Sequence, residues 1–166
     1  DYSETLIQQI DTMTTVASAF SNFANMPGQQ NELLNIVQIS KKALEIFNED
    51  YIQFHTTEKE IFTLFDRAQL TRIVTNLVKN AIQAIPENQE LKSVIVALSK
   101  VENQFVLKIS DNGIGISKEN AGFIFEPKFT TKNSGMGLGL AIIKNIIENY
   151  KGTITFDTEE GKGTTF

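Results

Sequence analysis

The chain has 166 residues, of which 41% are hydrophobic, 21% charged and 9% aromatic, a composition that fits one globular domain with an appendage. A net charge of −5 without a dense Lys/Arg cluster argues against a nucleic-acid partner, and neither a bilayer-spanning apolar run nor a signal-peptide pattern is present. With no cysteine and a single histidine, disulfides and thiolate metal sites are excluded and a zinc site has too few ligands.

Leu6, Ile10, Met13, Ala17, Phe20 and Ala24 recur at spacings of 4, 3, 4, 3 and 4, an a/d heptad seam that Val16, Ala19 and Phe23 widen. A helix with that much apolar surface needs other helices, so a two- or four-helix bundle is expected; packing on its own domain's core is the plainer alternative. Pro27-Gly28 ends it. A second helix is expected to place Leu33, Ile36, Val37, Leu44 and Phe47 on one face. Tyr51–Thr56 and Ile61–Phe65 read as strands around a polar Thr-Thr-Glu-Lys turn.

Asp66 is the expected N-cap of the next helix, with Gln69 in the capping-box place. Its buried stripe would be Leu70, Ile73, Val74, Leu77, Val78, Ala81, Ile82 and Ile85, and Pro86 stops it. Val94–Leu98 and Phe105–Ile109 alternate as strands joined by Glu102-Asn103-Gln104. Ser117 is placed to cap a short helix. The last helix spans about Leu138–Tyr150, with Gly152 in the C′ place, and Thr153–Phe156 with Gly163–Phe166 reads as a closing hairpin. Strands and helices mix without a βαβ alternation, which predicts an α+β two-layer sandwich, a mixed sheet covered by helices on one face.

Three polar features stand out. Asn76 and Asn80 are four apart and share a helical face, flanked by Lys79 and Gln83. Such a pair is usually solvated surface, yet amide oxygens suit magnesium, which keeps waters and phosphate oxygens as its other ligands. Asp111-Asn112-Gly113-Ile114-Gly115 follows a strand; a turn is the plain reading, and a carboxylate accepting from an exocyclic amine is the functional one. Gly135-Met136-Gly137-Leu138-Gly139-Leu140 runs into a helix, where backbone amides and the helix dipole suit phosphate. It is neither a Walker A loop nor a Rossmann fingerprint. Before it, Pro127–Ser134 reads as a lid from which Lys132 could reach a phosphate, or Lys132 is an ordinary exposed lysine.

Taken together and in order, Asn76-Leu-Val-Lys-Asn80-Ala81, Asp111-Asn-Gly113-Ile-Gly115, Ile124–Lys132, Gly135–Leu140 and Gly161-Lys-Gly163-Thr164-Thr165-Phe166 resemble the N, G1, F, G2 and G3 boxes of sensor histidine kinases. The resemblance covers about residues 31–166 and is closest to the nitrogen-regulation group. It implies a Bergerat (GHKL) ATP-binding fold. It implies that Asn80 holds Mg2+, with Asn76 nearby. Asp111 would bind the adenine amino group, helped by Thr164 through water. Gly113, Gly115 and Ile116 would line that pocket, the amides of Gly135, Met136, Gly137, Leu138, Gly139 and Leu140 would hold phosphates, and Lys132 would serve from the ATP lid. Phe125 and Phe129 would anchor that lid by packing.

The resemblance further implies domains: residues 1–26 as the second helix of a dimerisation hairpin whose first helix is missing, a linker at 27–30, and a catalytic domain at 31–166 with its last strand cut. Partners implied are ATP or ADP, a second copy through the hairpin, and a response-regulator receiver domain, with no direct membrane contact and a cytoplasmic location in a bacterial sensor kinase. Two features depart from the pattern or decide within it. Gln83 stands where many histidine kinases carry Lys or Arg. Asn76 stands where the related gyrase, MutL and Hsp90-type ATPases carry a water-activating acid, and an amide cannot be that base, which favours phosphoryl transfer over hydrolysis. His55, between Phe54 and Thr56 in an expected strand, lacks the phosphoacceptor's His-Glu/Asp context, so the acceptor is expected outside this chain. A serine kinase of the anti-sigma-factor kind and a non-catalytic pseudokinase are the alternatives.

Overall fold

The computed structural model describes residues 29–127 and 137–166, so the heptad seam and the hairpin helix expected over residues 1–26 lie outside the described residues. In chain order the elements are β1 (Asn31–Asn35), α1 (Ile36–Leu44), β2 (Ile52–Thr56), β3 (Phe62–Asp66), α2 (Arg67–Ala84), β4 (Val94–Val101), β5 (Gln104–Asp111), α3 (Lys118–Ala121), α4 (Gly139–Asn149), β6 (Asp157–Glu159) and β7 (Gly163–Thr165). Five strands form one mixed sheet in the order β2-β4-β5-β7-β6, in which only β2 and β4 run parallel. β1 and β3 make a separate antiparallel ribbon.

The alternation of β4 decides where the core lies. Val94, Val96 and Leu98 are buried on one face, and Ile109 of β5 joins them, while Ile95 is exposed on the other. Ile36 and Val37 of α1, Leu70, Val74 and Val78 of α2, and Ile143 and Ile146 of α4 close over that buried face. Each of these side chains contributes about 1.5–3 kcal/mol by leaving water. The result is the expected two-layer sandwich.

Helix α2 starts at the Asp66 cap that the sequence suggests, but without the reciprocal half of a capping box, since the Asp66 N–H is taken by Tyr150 and not by the Gln69 side chain. The Asp66 side chain accepts from the Gln69 N–H at 3.0 Å and also from the Gln30 N–H at 2.8 Å. Partial burial pushes the Asp66 carboxyl up, but the backbone N–H groups of Gln30, Gln69 and Ala68 outweigh that and hold it below its ordinary value. The Tyr150 hydroxyl accepts from the Asp66 N–H at 2.9 Å and donates to Asn31 Oδ1 at 2.6 Å, and its ring stacks on Phe65. The start of β1, the start of α2 and the end of α4 are thereby tied at one point.

Five local expectations are corrected. Leu33 is not in a helix: it lies in β1, exposed and opposite Leu64, and α1 begins only at Ile36. Asn35 makes that break, since its Oδ1 accepts from both Val37 N–H and Ile61 N–H. The strands β2 and β3 do not pair around their turn, because β2 joins β4 and β3 joins β1. The closing hairpin pairs Asp157–Glu159 with Gly163–Thr165 and not Thr153–Phe156 with Gly163–Phe166. The left-handed residue after α4 is Lys151, φ 60°, with the Lys151 N–H on Glu148 O and the Gly152 N–H on Ile147 O, a Schellman motif in which Gly152 is the C″ residue. Glycine suits position 152 because a Cβ there would lie 3.0 Å from Ile147 Cγ2. Ser117 does precede α3, but its side chain makes no capping bond; its carbonyl accepts from Asn120 and Ala121.

Candidate functional site

The row of residues that crosses the sheet at the end of β5 organises the site. Val94, Asp111, Thr164 and Thr158 are successive cross-strand neighbours on β4, β5, β7 and β6. Paired residues share a face, and Val94 faces the core, so Asp111 and Thr164 lie on the face that the helices cover. Asp111 Oδ1 accepts from the Gly113 N–H at 2.9 Å, which turns the chain sharply after the strand. Thr164 is buried, and its hydroxyl lies 3.0 Å from that of Thr158. Thr158 Oγ1 also accepts from the Ile116 N–H at 2.9 Å, which brings Ile116 to the same spot.

The two glycines of this loop answer to protein backbone. A Cβ on Gly113 would collide with the carbonyl of Ala84 at the end of α2, and the next residue's N–H bonds to that carbonyl at 2.9 Å. Gly115 has φ +70°, and a Cβ there would strike the Glu159 carbonyl. Gly163, φ +125°, lies too close to the Asp111 carbonyl for any side chain. The resemblance implies that Gly113 and Gly115 line the base pocket. Their hydrogen is required for packing the loop between α2 and the β6–β7 hairpin.

Helix α2 runs from this loop to the second half of the site. Asn76, Asn80 and Gln83 follow one face at i, i+4 and i+7, away from the buried stripe of Leu70, Val74, Leu77, Val78 and Ala81. The Asn76 amide donates to Arg72 O at 2.9 Å, which leaves Oδ1 as the end that faces outward from the helix. That oxygen lies 3.5 Å from where a Cβ on Gly139 would be, so Asn76 abuts the first residue of α4. Asn80 is half-buried, and its carboxamide makes no hydrogen bond among the described residues. From Asn76 to Ala84 the helix rises by about 12 Å.

The N-terminus of α4 completes the arrangement. Gly137 takes φ 65°, Leu138 occupies the N-cap position without a capping side chain, and the first turn carries no acid. The N–H groups of Gly139, Leu140 and Ala141 have no partner within the helix, and the helix dipole adds to their positive field. Gly139 is thus placed beside Asn76, with Gly137, Leu138 and Leu140 next to it along the chain, whereas Lys132, Gly135 and Met136, like Phe129, lie outside the described residues. Phe125, at the near end of the lid sequence, packs edge-on against Phe156 and Phe166 at 5.9 and 6.3 Å between ring centres. Two residues that the sequence did not single out take part, Thr158 and Ala84. His55 lies on β2 in odd register from the Asp111 row, exposed on the other face of the sheet and within 3.2 Å of Gln53 Oε1.

A paired acceptor edge, an amide face on one helix and an open N-terminus on another are the parts of a nucleotide site, and comparison with known proteins agrees. Residues 65–166 match the family of histidine kinase-, DNA gyrase B-, and HSP90-like ATPases. The chain belongs to this family. Within it, the chain is similar to sensor histidine kinases. It is 29% identical over 97% of its length to the nitrogen regulation protein NtrY of Azorhizobium caulinodans, and 43% identical over 61% of its length to the sensor histidine kinase ZraS of Escherichia coli. The chain spans only 22% and 21% of those two proteins. Among solved structures, the catalytic domain of histidine kinase ThkA superposes with a TM-score of 0.73 at 28% identity, covering 82% of this chain and 92% of that one. Full-length ShkA in complex with AMPPNP shares the fold, with a TM-score of 0.78 at 20% identity over 99% of this chain and 37% of that one.

Proposed function

We propose that the chain binds Mg-ATP and positions it for phosphoryl transfer to a histidine supplied from outside it, as the catalytic domain of a sensor histidine kinase. The observation that carries this reading is the convergence along α2. Asp111 and Thr164 sit at one end, Asn76 abuts the phosphate-ready N-terminus of α4 at the other, and Asn80 lies between. The base would lie against Asp111 and Thr164, with its amine donating to the carboxylate. The phosphates would lie on the amides that open α4, with Gly135, Met136 and Lys132 completing that side and Gln83 offering a neutral contact.

The donor set fits magnesium. It consists of carboxamide oxygens on one helical face, hard ligands that leave most coordination positions to water and phosphate. Asn80 would hold the ion, and Asn76 would present its outward oxygen nearby. Magnesium held there would supply charge neutralisation to the phosphates. The chain's own contribution is positioning: it fixes the base at the sheet and aligns the phosphates with the helix dipole. Asn76 cannot take a proton from water, which supports transfer to another group over hydrolysis.

His55 is a poor acceptor, since it faces the side of the sheet away from Asp111 and the helices. The heptad seam over residues 1–26 supports a dimerisation hairpin joined by residues 27–30 to a catalytic domain at 31–166, with a receiver domain as the next recipient; histidine kinase ThkA has been solved with response regulator protein TrrA. Among the described residues no helix is long and apolar enough to cross a membrane, and a cytoplasmic setting is proposed with the rest. The test is γ-labelled ATP. The chain alone should stay unlabelled, and acid-labile label should appear when a histidine-bearing hairpin from a relative is joined upstream. Label on His55 would overturn the proposal.

A further inference from the structure

We propose that Thr158 is a positioning residue that leaves the base pocket able only to accept hydrogen bonds, so that the domain selects a 6-aminopurine over a 6-oxopurine nucleotide; this rests on the nucleotide reading above. A threonine hydroxyl has one hydrogen and two acceptor positions. Thr158 Oγ1 has three partners: Ile116 N at 2.9 Å, Gly163 O at 3.1 Å and Thr164 Oγ1 at 3.0 Å. The Ile116 N–H can only donate. The Gly163 carbonyl can only accept, and it takes the single Thr158 hydrogen. The one arrangement that satisfies all three contacts has Thr164 donating to Thr158. The only hydrogen on Thr164 is therefore directed along the sheet, and what its hydroxyl has left to offer is its lone pairs, which only accept.

Thr164 stands opposite Asp111, whose ionised carboxylate also only accepts and already holds the Gly113 N–H. Two adjacent groups on the helix-covered face thus present oxygen lone pairs. An exocyclic amine meets them with two N–H donors. A 6-oxo group in the amine's place presents further lone pairs and leaves buried acceptors directly facing one another. Without the Thr158 hydroxyl, the Thr164 hydroxyl can rotate and donate toward an oxo group. The discrimination thus depends on a residue one strand beyond the pocket that need not touch the nucleotide.

Calorimetric titration of the full 166-residue chain with Mg-ADP and Mg-IDP tests this. The wild type should prefer ADP, Thr158→Val should lower that preference about tenfold, and Thr158→Ser should restore it. The ratio of two affinities on one preparation does not depend on how much of it is folded. An unchanged ratio in Thr158→Val, or a ratio lost equally in Thr158→Ser, overturns the inference and leaves nucleotide binding standing. A wild type that binds ADP and IDP equally does the same. A wild type that binds neither overturns both readings.

Discussion

Asp111 stands directly opposite Thr164 across β5 and β7, and both side chains lie on the sheet face that the helices cover. The pair is built by backbone constraints on each side. Gly113 lets the chain leave Asp111 against the end of α2, and Gly163 lets β7 approach the Asp111 carbonyl. A carboxylate and a hydroxyl are thereby fixed next to each other without any flexible arm.

Those glycines predict a stability pattern. Gly113→Ala and Gly163→Ala each force a Cβ into a backbone carbonyl, so each should destabilise by about 1–3 kcal/mol or more. Thermal melts should show both well below wild type. Gly122→Ala is the control, since nothing lies within 4 Å of its Cβ position. Equal melting temperatures for Gly113→Ala and Gly122→Ala would contradict the packing described.

Asp66 predicts a pH dependence. Its folded carboxyl titrates below its ordinary value of about 3.9, so the stabilisation it contributes is fully present above that value. It is lost as pH falls through the lower, folded value. Asp66→Ala removes the cap and should cost about 1 kcal/mol at pH 7. Urea melts of wild type and variant at neutral and strongly acidic pH should show the gap closing on the acid side. A gap that widens with acid would have the wrong sign.

Tyr150→Phe should keep the stack on Phe65 and lose both hydroxyl bonds, to Asp66 N–H and Asn31 Oδ1. A cost of about 1–2 kcal/mol in urea melts is expected, since the Asp66 N–H is left without its partner. A neutral change would mean that the hydroxyl does not tie β1 to the start of α2.

Asn80→Ala should leave folding intact, because its carboxamide bonds to nothing among the described residues. Nucleotide affinity should then gain much less from added magnesium than it does in the wild type. Comparing ADP titrations with and without the ion checks this, and an undiminished magnesium effect would remove Asn80 from the proposed metal site.

The features legible in the sequence were those encoded within one element. The Asp66 cap, the stripe of α2 with Asn76 and Asn80 off it, and the glycine-rich start of α4 all follow from spacing along one helix. β1 was not legible. Leu33, Leu34, Ile36 and Val37 mimic a helical face, and pairing with β3 is what makes a strand of Asn31–Asn35. Asn35 was the available signal, a capping residue two places after Leu33, inside the expected helix. Thr158 was missed because its role exists only in register. The hairpin centre is Gly161, φ 80°, which sets Thr158 opposite Thr164. Taking Thr153–Phe156 as the partner strand moves Thr158 out of the row altogether.

The most direct measurement is calorimetric titration of Mg-ADP into the wild-type chain and into Asp111→Asn. The amide can still accept from the Gly113 N–H, so the fold should persist while the charged acceptor for the base is gone. If Asp111 and Thr164 hold the base, the wild type binds and the variant loses affinity about 10–100-fold. A folded Asp111→Asn variant that binds as tightly as the wild type would contradict the site.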